Sequence, residues 1–228
     1  MAMKPNFKKA YRVATENVLL TSQVISSFPV DVKCHIQEET DIKLYSYKTA
    51  MMKRHLDMPQ FGTEDAFLSE KNGRFILFYN SEKDNRRIRW SLTHELGHYY
   101  LGHTLDSSKL SEEEYGVQEI EAHFFAAQVL MPDQIIHELV TRGERVLAPS
   151  LRNWFQVSRT AAEKRLETIN RKSGLCIYDF GTDYSQELIF KFASFIDGIK
   201  PKYANGSIYN DIEEEERQVE RDSWLYDW

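Results

Sequence analysis

The segment Thr93 to His98, with the sequence THELGH, contains a His-Glu-x-x-His motif and constrains the chain more than any other feature. Two histidines four residues apart lie on one face of an α-helix, about one turn from each other. Their ring nitrogens can converge on one Zn²⁺ ion, and a glutamate beside the first histidine can reach a metal-bound water as general base. The motif therefore predicts a zinc-binding helix with His94 and His98 as ligands and Glu95 as the catalytic base.

The length and composition of the chain limit the class of protein. With 228 residues, of which 42% are hydrophobic, it can bury one core and carry a small appended subdomain. No apolar run approaches the roughly 18–20 residues of a membrane span, and the N-terminus lacks the features of a secretory signal. Cys34 and Cys176 fit no metal or redox spacing. We therefore expect a cytoplasmic protein that does not associate with membranes.

The net charge of −6 is concentrated at the C-terminus. Residues 211–228 contain eight acidic and two basic residues, which accounts for −6, so the remaining body is neutral. A nucleic-acid-binding domain usually presents a basic surface. The neutral body argues against direct DNA binding and leaves an acidic tail as a separate feature.

The periodicity of apolar residues predicts an α+β fold. Asn72-Gly73 between two apolar segments is typical of a β-hairpin. The predicted helices are 7–27, 30–39, 91–103 with the motif, 117–131, 132–143, 151–155, 159–169 and 186–198, the predicted strands are 42–47, 66–68, 74–79 and 175–180, and residues 104–116 are predicted to be a loop.

A catalytic zinc takes three protein ligands and keeps one open position, so one ligand must come from outside the motif. His103 fits poorly, because metzincins place a third histidine ten residues after the first, and this chain has Thr104 there. The helix over 117–131 offers two carboxylates instead. Glu119 shares a face with alanines that would let the two helices approach closely, so it is the preferred third ligand and Glu121 is the alternative.

Several further side chains are candidates for supporting roles. His123 lies one turn after Glu119 and is expected to orient a ligand imidazole from behind. A zinc site with a general base that hydrolysed a carbonyl compound would also need a hydrogen-bond donor for the oxyanion. Candidates for this donor, or for substrate contacts, are residues near the motif and one further histidine: Tyr99, Tyr100, His103 and His137.

Two segments of the chain resemble the signature segments of the ImmA/IrrE family of zinc metallopeptidases: residues 93–103 (THELGHYYLGH) and 119–132 (EIEAHFFAAQVLMP). The likeness extends over about residues 7–170. It implies a zincin-like metallopeptidase domain with one Zn²⁺ per chain, histidine ligands and a glutamate base in the motif, and an acidic ligand at Glu119 or Glu121. The family usually has Asn or Asp at position 123, where this chain has His.

Enzymes of this family typically cut a helix-turn-helix transcriptional repressor and so relieve repression of a mobile element or a stress response. The resemblance therefore implies an intracellular endopeptidase whose partner is such a repressor. The alternative is a non-proteolytic zinc-containing regulator or a toxin–antitoxin component that acts by binding a repressor or partner. Glu95 favours the enzyme, because a purely structural zinc site needs no base.

Three regions are predicted along the chain: a zincin-like domain over 1–145, a helix-turn-helix-like subdomain over 146–172, and a C-terminal extension with the acidic tail over 173–228. The second region carries three basic residues, Arg159, Lys164 and Arg165, on or near its second helix. Because the body is neutral, a packing or repressor-docking role is favoured over DNA reading.

Overall fold

The computed structural model of the protein describes residues 3–54, 63–171 and 182–199. These residues form an α+β fold, as the sequence predicts. The helices are α1 (Phe7–Ala14), continued by a π-helical segment (Thr15–Leu20), α2 (Val32–Glu39), α3 (Tyr47–Arg54), α4 (Asn85–Leu101), α5 (Glu112–Leu130), α6 (Asp133–Thr141), α7 (Ala148–Phe155), α8 (Arg159–Arg171), α9 (Thr182–Lys191) and α10 (Ala193–Gly198), with a 3₁₀ turn at Ser107–Lys109. In the part of the chain described, no helix has the length and apolar character needed to cross a membrane.

The sheet contains β1 (Lys43–Ser46), β2 (Ala66–Lys71) and β3 (Arg74–Tyr79) in the order β1-β3-β2. β1 runs parallel to β3, and β2 runs antiparallel to it. Asn72 and Gly73 join β2 to β3 with φ values of 54° and 71°, the positive values that a two-residue hairpin turn requires. The predicted hairpin is confirmed, and β2 lies at an edge of the sheet.

The core lies where α4 packs against the sheet on one side and against α5 on the other. Leu92 and Leu96 of α4 and Phe125 and Val129 of α5 are buried in one hydrophobic cluster. The helix-turn-helix-like segment adds side chains to the same cluster, among them Leu151, Phe155, Ala161 and Ala162. Helices α7 and α8 therefore share the core of the body, while the three-region division stays a prediction.

The N-terminal helical segment ends at Leu20, so the prediction that it reaches residue 27 is wrong. The ammonium group of Lys191, on α9, donates hydrogen bonds to the carbonyl oxygens of Leu19, Leu20 and Ser22. These contacts satisfy carbonyls that the end of a helix leaves without partners. The ammonium group that binds these carbonyls comes from a distant part of the chain and leaves no signal in the local periodicity.

Both helices that carry the motif segments begin earlier than predicted. The Asp84 side chain caps α4 by accepting from the N–H of Arg86, before the apolar pattern begins. Ser111 and Glu114 form a capping box at the start of α5, with each side chain bonded to the other's backbone N–H. The prediction of a loop over 104–116 is therefore wrong from residue 112 onwards. The acidic run there suits the positive end of the helix dipole.

The basic residues of the helix-turn-helix-like segment differ in accessibility. Arg165 is 4% exposed and donates from Nη2 to Oε1 of Gln128 on α5, at 2.7 Å. Arg159 pairs with Glu163 of its own helix, and Lys164 is exposed. Arg165 therefore attaches α8 to the body and does not face solvent.

The rest of the predicted elements divide into two groups. The helix predicted over 186–198 is present as two helices, α9 and α10, and the short helix α3 has no counterpart in the prediction. The strand predicted at 175–180 and the acidic tail at 211–228 lie outside the described residues.

Candidate metal centre

Three side chains from two helices meet beside the sheet. His94 and His98 of α4 have their Nε2 atoms 3.1 Å apart. The Glu119 carboxylate, from α5, approaches with Oε2 at 3.3 Å from His94 Nε2 and Oε1 at 3.4 Å from His98 Nε2. The histidine side chains are each 11% exposed, and that of Glu119 is 29% exposed. The cluster is thus largely enclosed but open on one side.

These separations suit a metal ion. Tetrahedral ligands about 2.0–2.1 Å from a zinc ion stand about 3.3–3.4 Å from each other. Two imidazoles and a carboxylate form a donor set that catalytic zinc uses. The described residues contain one group of three or more His, Cys, Asp or Glu with ligand atoms this close together, namely His94, His98 and Glu119, and it can hold a metal ion.

The close approach of α4 and α5 depends on a glycine inside the motif. A Cβ atom at Gly97 would lie 3.0 Å from the Cα of Ala122 and 3.2 Å from its carbonyl oxygen. Ala122 and Ala126 of α5 are both fully buried. Ala122 faces the motif helix, as the sequence predicts, and this contact brings Glu119 to the histidines.

Glu95 lies beside the cluster and contacts the edge strand. Its Oε2 accepts a hydrogen bond of 2.8 Å from the backbone N–H of Leu68 in β2. Burial raises the pKa of the Glu95 carboxyl above its usual value, and the two motif histidines and the Leu68 N–H oppose this shift. A carboxylate of raised pKa is a better proton acceptor than an exposed one.

Glu121 and His103 form a second group behind His98. Glu121 Oε2 lies 3.0 Å from Nε2 of His103, and His103 Nδ1 lies 3.0 Å from Nδ1 of His98. The other oxygen of Glu121 accepts from the backbone N–H of Asn6. The Glu119 carboxylate therefore lies where the Nε2 atoms of the two histidines meet, whereas Glu121 lies on the Nδ1 side of His98.

Comparison with known families identifies the chain. The IrrE N-terminal-like domain, the M78 peptidase family, matches residues 44–167, which is more than half of the chain. The chain belongs to the ImmA/IrrE family. Membership indicates a metallopeptidase-like function. No curated protein matches the chain.

In this ImmA/IrrE-family chain, His123 of α5 packs against the motif histidine His94. Its ring centroid lies 4.3 Å from that of His94 and 6.2 Å from that of Trp90. Desolvation, followed by the charge of His94, lowers the pKa of His123 to about 4. The buried Nδ1 atom of His94 has no hydrogen-bond partner among the described residues. The His123 ring therefore lies next to a motif imidazole, the kind of group that it is predicted to orient, without a hydrogen bond to Nδ1 of His94.

In this ImmA/IrrE-family chain, most of the side chains predicted as oxyanion donors are bonded to other residues. The Tyr99 hydroxyl donates to Oδ1 of Asp41 at 2.6 Å, and the Tyr100 hydroxyl lies 3.1 Å from Nε2 of His35. His103 is enclosed between His98 and Glu121. His137 is exposed on α6.

One residue near the site was not among the sequence candidates. The negative charge of Glu119 raises the pKa of the Tyr115 phenol, in α5, and desolvation and the charge of Glu95 add to this shift. The side chain is 48% exposed. Tyr115 precedes Glu119 by four residues, the spacing that places two side chains on one helix face, and this signal could have identified it.

Proposed function

We propose that the chain is a zinc-dependent endopeptidase that cleaves a helix-turn-helix transcriptional repressor and relieves repression of a mobile element or a stress response. The observation that carries the proposal is the position of Glu95 beside the cluster of His94, His98 and Glu119. A carboxylate beside the cluster can act as general base in hydrolysis, whereas a purely structural metal site needs no base. The repressor as substrate rests on the family resemblance.

In the proposed reaction each residue of the site has the role that it would have in a zincin. His94, His98 and Glu119 would hold the zinc ion, leaving one position open. When bound, zinc would polarise the scissile carbonyl and lower the pKa of a coordinated water toward about 7. Glu95 takes the proton of the attacking water and delivers it to the amine of the leaving peptide. The Leu68 N–H holds the Glu95 carboxylate in place before the reaction.

We propose Tyr115 as the donor of a hydrogen bond to the developing oxyanion. The residue is close enough to Glu119 for that carboxylate to raise the pKa of its phenol, and it is half exposed. Replacing Tyr115 by Phe is expected to lower kcat on the order of 10²-fold, because it removes a donor that acts only in the transition state. KM and zinc content should change little. Single-turnover kinetics on a cleaved substrate would measure this, and an unchanged kcat would exclude Tyr115 as the donor.

Co-expression tests the proposed function directly. The chain is produced together with helix-turn-helix repressors encoded beside its gene, and each repressor is followed by intact-mass spectrometry. We expect a cut repressor with the wild type and intact repressor with Glu95→Gln, because loss of a general base costs about 10²–10⁴-fold in rate. The glutamine keeps an oxygen for the Leu68 N–H, so the site should retain its shape and its metal.

A matched control and two other outcomes complete the experiment. Glu187→Gln removes an exposed carboxylate on α9, far along the chain from the motif, and should leave cleavage unchanged. A repressor that stays intact but co-purifies with the wild type would instead support the non-proteolytic binding function. Equal cleavage by wild type and Glu95→Gln would rule out the mechanism.

A further inference from the structure

A continuous row of hydrogen bonds connects the motif histidine His98 to the N-terminal segment of the protein. It runs from His98 Nδ1 to His103 Nδ1 at 3.0 Å, and from His103 Nε2 to Glu121 Oε2 at 3.0 Å. The second oxygen of Glu121 accepts from the N–H of Asn6, the residue that caps α1. We call His103 and Glu121 the support pair.

With both imidazoles neutral and Glu121 ionised, one assignment of protons satisfies every group in this row. A histidine that binds metal through Nε2 carries its proton on Nδ1, so His98 Nδ1 donates. His103 Nδ1 must then accept and be bare, which leaves the His103 proton on Nε2. That proton points at the Glu121 carboxylate, which needs a donor. With both rings neutral, each donor in the row meets an acceptor only if His98 Nε2 is bare, the form in which it can bind a metal.

The support pair is also held rigidly. The side chains of His103 and Glu121 are 6% and 12% exposed. The backbone N–H of His103 donates to the carbonyl oxygen of His98, after a left-handed turn at Gly102. The ammonium group of Lys9 donates to the carbonyl oxygen of Leu101 at 2.6 Å, which fastens the same turn to α1. A buried pair fixed in this way can hold a ring orientation.

The two motif histidines differ in this respect. His94 Nδ1 is buried and has no hydrogen-bond partner among the described residues, whereas His98 Nδ1 has His103. A histidine that donates to a carboxylate, directly or through another group, is a stronger and better oriented metal ligand. His98 is thus the histidine that the protein orients in advance.

We propose that His103 and Glu121 are positioning residues, which hold His98 in the tautomer and orientation that binds metal through Nε2. This inference rests on the proposed zinc site and adds to it a role for two residues that are not ligands. It also gives the trailing His103 a function other than that of a third ligand or of an oxyanion donor.

Zinc affinity tests the support pair without reference to activity. The affinity of the full chain is measured by competition with a chromophoric chelator. His103→Leu should weaken zinc binding about 10–100-fold, because it removes both hydrogen bonds of the pair. His103→Gln keeps an acceptor and a donor and should recover most of the affinity. The control His137→Leu removes an exposed histidine on α6 and should bind zinc like the wild type.

A second measurement needs no variant that could fail to fold. In ¹⁵N-labelled, zinc-loaded wild type, His98 Nδ1–H should give a slowly exchanging proton resonance with a coupling to the Nδ1 nucleus of His103. A His98 ring protonated on Nε2 would overturn the proposal, as would zinc affinity within about twofold of wild type in folded His103→Leu. If the wild type itself binds no zinc, the proposed function fails instead, so the two failures are distinct.

Discussion

Replacing Glu119 by Ala is expected to lower the zinc affinity of the protein on the order of 10³-fold. This loss corresponds to about a third of the binding free energy typical of a protein zinc site. Its two oxygens lie 3.3 and 3.4 Å from the Nε2 atoms of His94 and His98, so it is the carboxylate able to complete the ligand set. Binding is measured by chelator competition. Cleavage of a repressor should disappear together with the metal.

The matched control for this prediction is Glu121→Ala, two residues away on the same helix. Glu121 contacts His103 and the backbone of Asn6 and does not reach the open side of the cluster. Its removal should weaken zinc binding by about 10–100-fold, the usual effect of losing a partner of a ligand. If Glu119→Ala keeps zinc and Glu121→Ala loses it, the ligand assignment must be reversed.

Gly97→Ala is expected to destabilise the protein by about 1–3 kcal/mol, although alanine favours helices more than glycine does. The added Cβ would meet the Cα of Ala122 at 3.0 Å, and backbone atoms cannot move aside as the end of a side chain can. The helices must separate, and zinc affinity should fall as well, because α4 carries the histidines and α5 carries Glu119. Urea unfolding and chelator competition measure the two effects.

The matched control for Gly97→Ala is Gly116→Ala. Gly116 also lies inside a helix, α5, and a Cβ there would have no atom within 4 Å. The substitution should stabilise the protein by about 0.5–1 kcal/mol, because it reduces the conformational entropy lost on folding. If Gly97→Ala were as stabilising as Gly116→Ala, the contact between α4 and α5 would not be tight.

Local patterns in the sequence were sufficient to predict the central part of the site. Spacing alone brings His94 and His98 together on one helix face, and the alanines near Glu119 indicate which face of α5 approaches them. The Asn72-Gly73 turn similarly predicts the hairpin that supplies Leu68. Each of these features depends on residues that are close to one another in the sequence, within about two turns of a helix or within one hairpin turn.

Features that depend on distant residues were not predicted. The hydrogen bond of Leu68 to Glu95, the Lys191 contacts that end the N-terminal helical segment, and the row from Asn6 to His98 all join separate segments. No periodicity within one segment reports such a contact. Tyr115 is different, because its spacing to Glu119 was visible, but its side chain lay in the stretch predicted to be a loop.

The contact of Gly97 with the backbone of Ala122 has a consequence for comparing relatives of this chain. Because the contact is with backbone, no smaller side chain at position 122 can make room for a larger residue at position 97. Invariance of that glycine among relatives would therefore report helix packing and not catalysis. A relative that kept the glycine but lost the glutamate at position 95 would be expected to retain the fold without hydrolysing peptides, so position 95 is the one to examine when looking for inactive members.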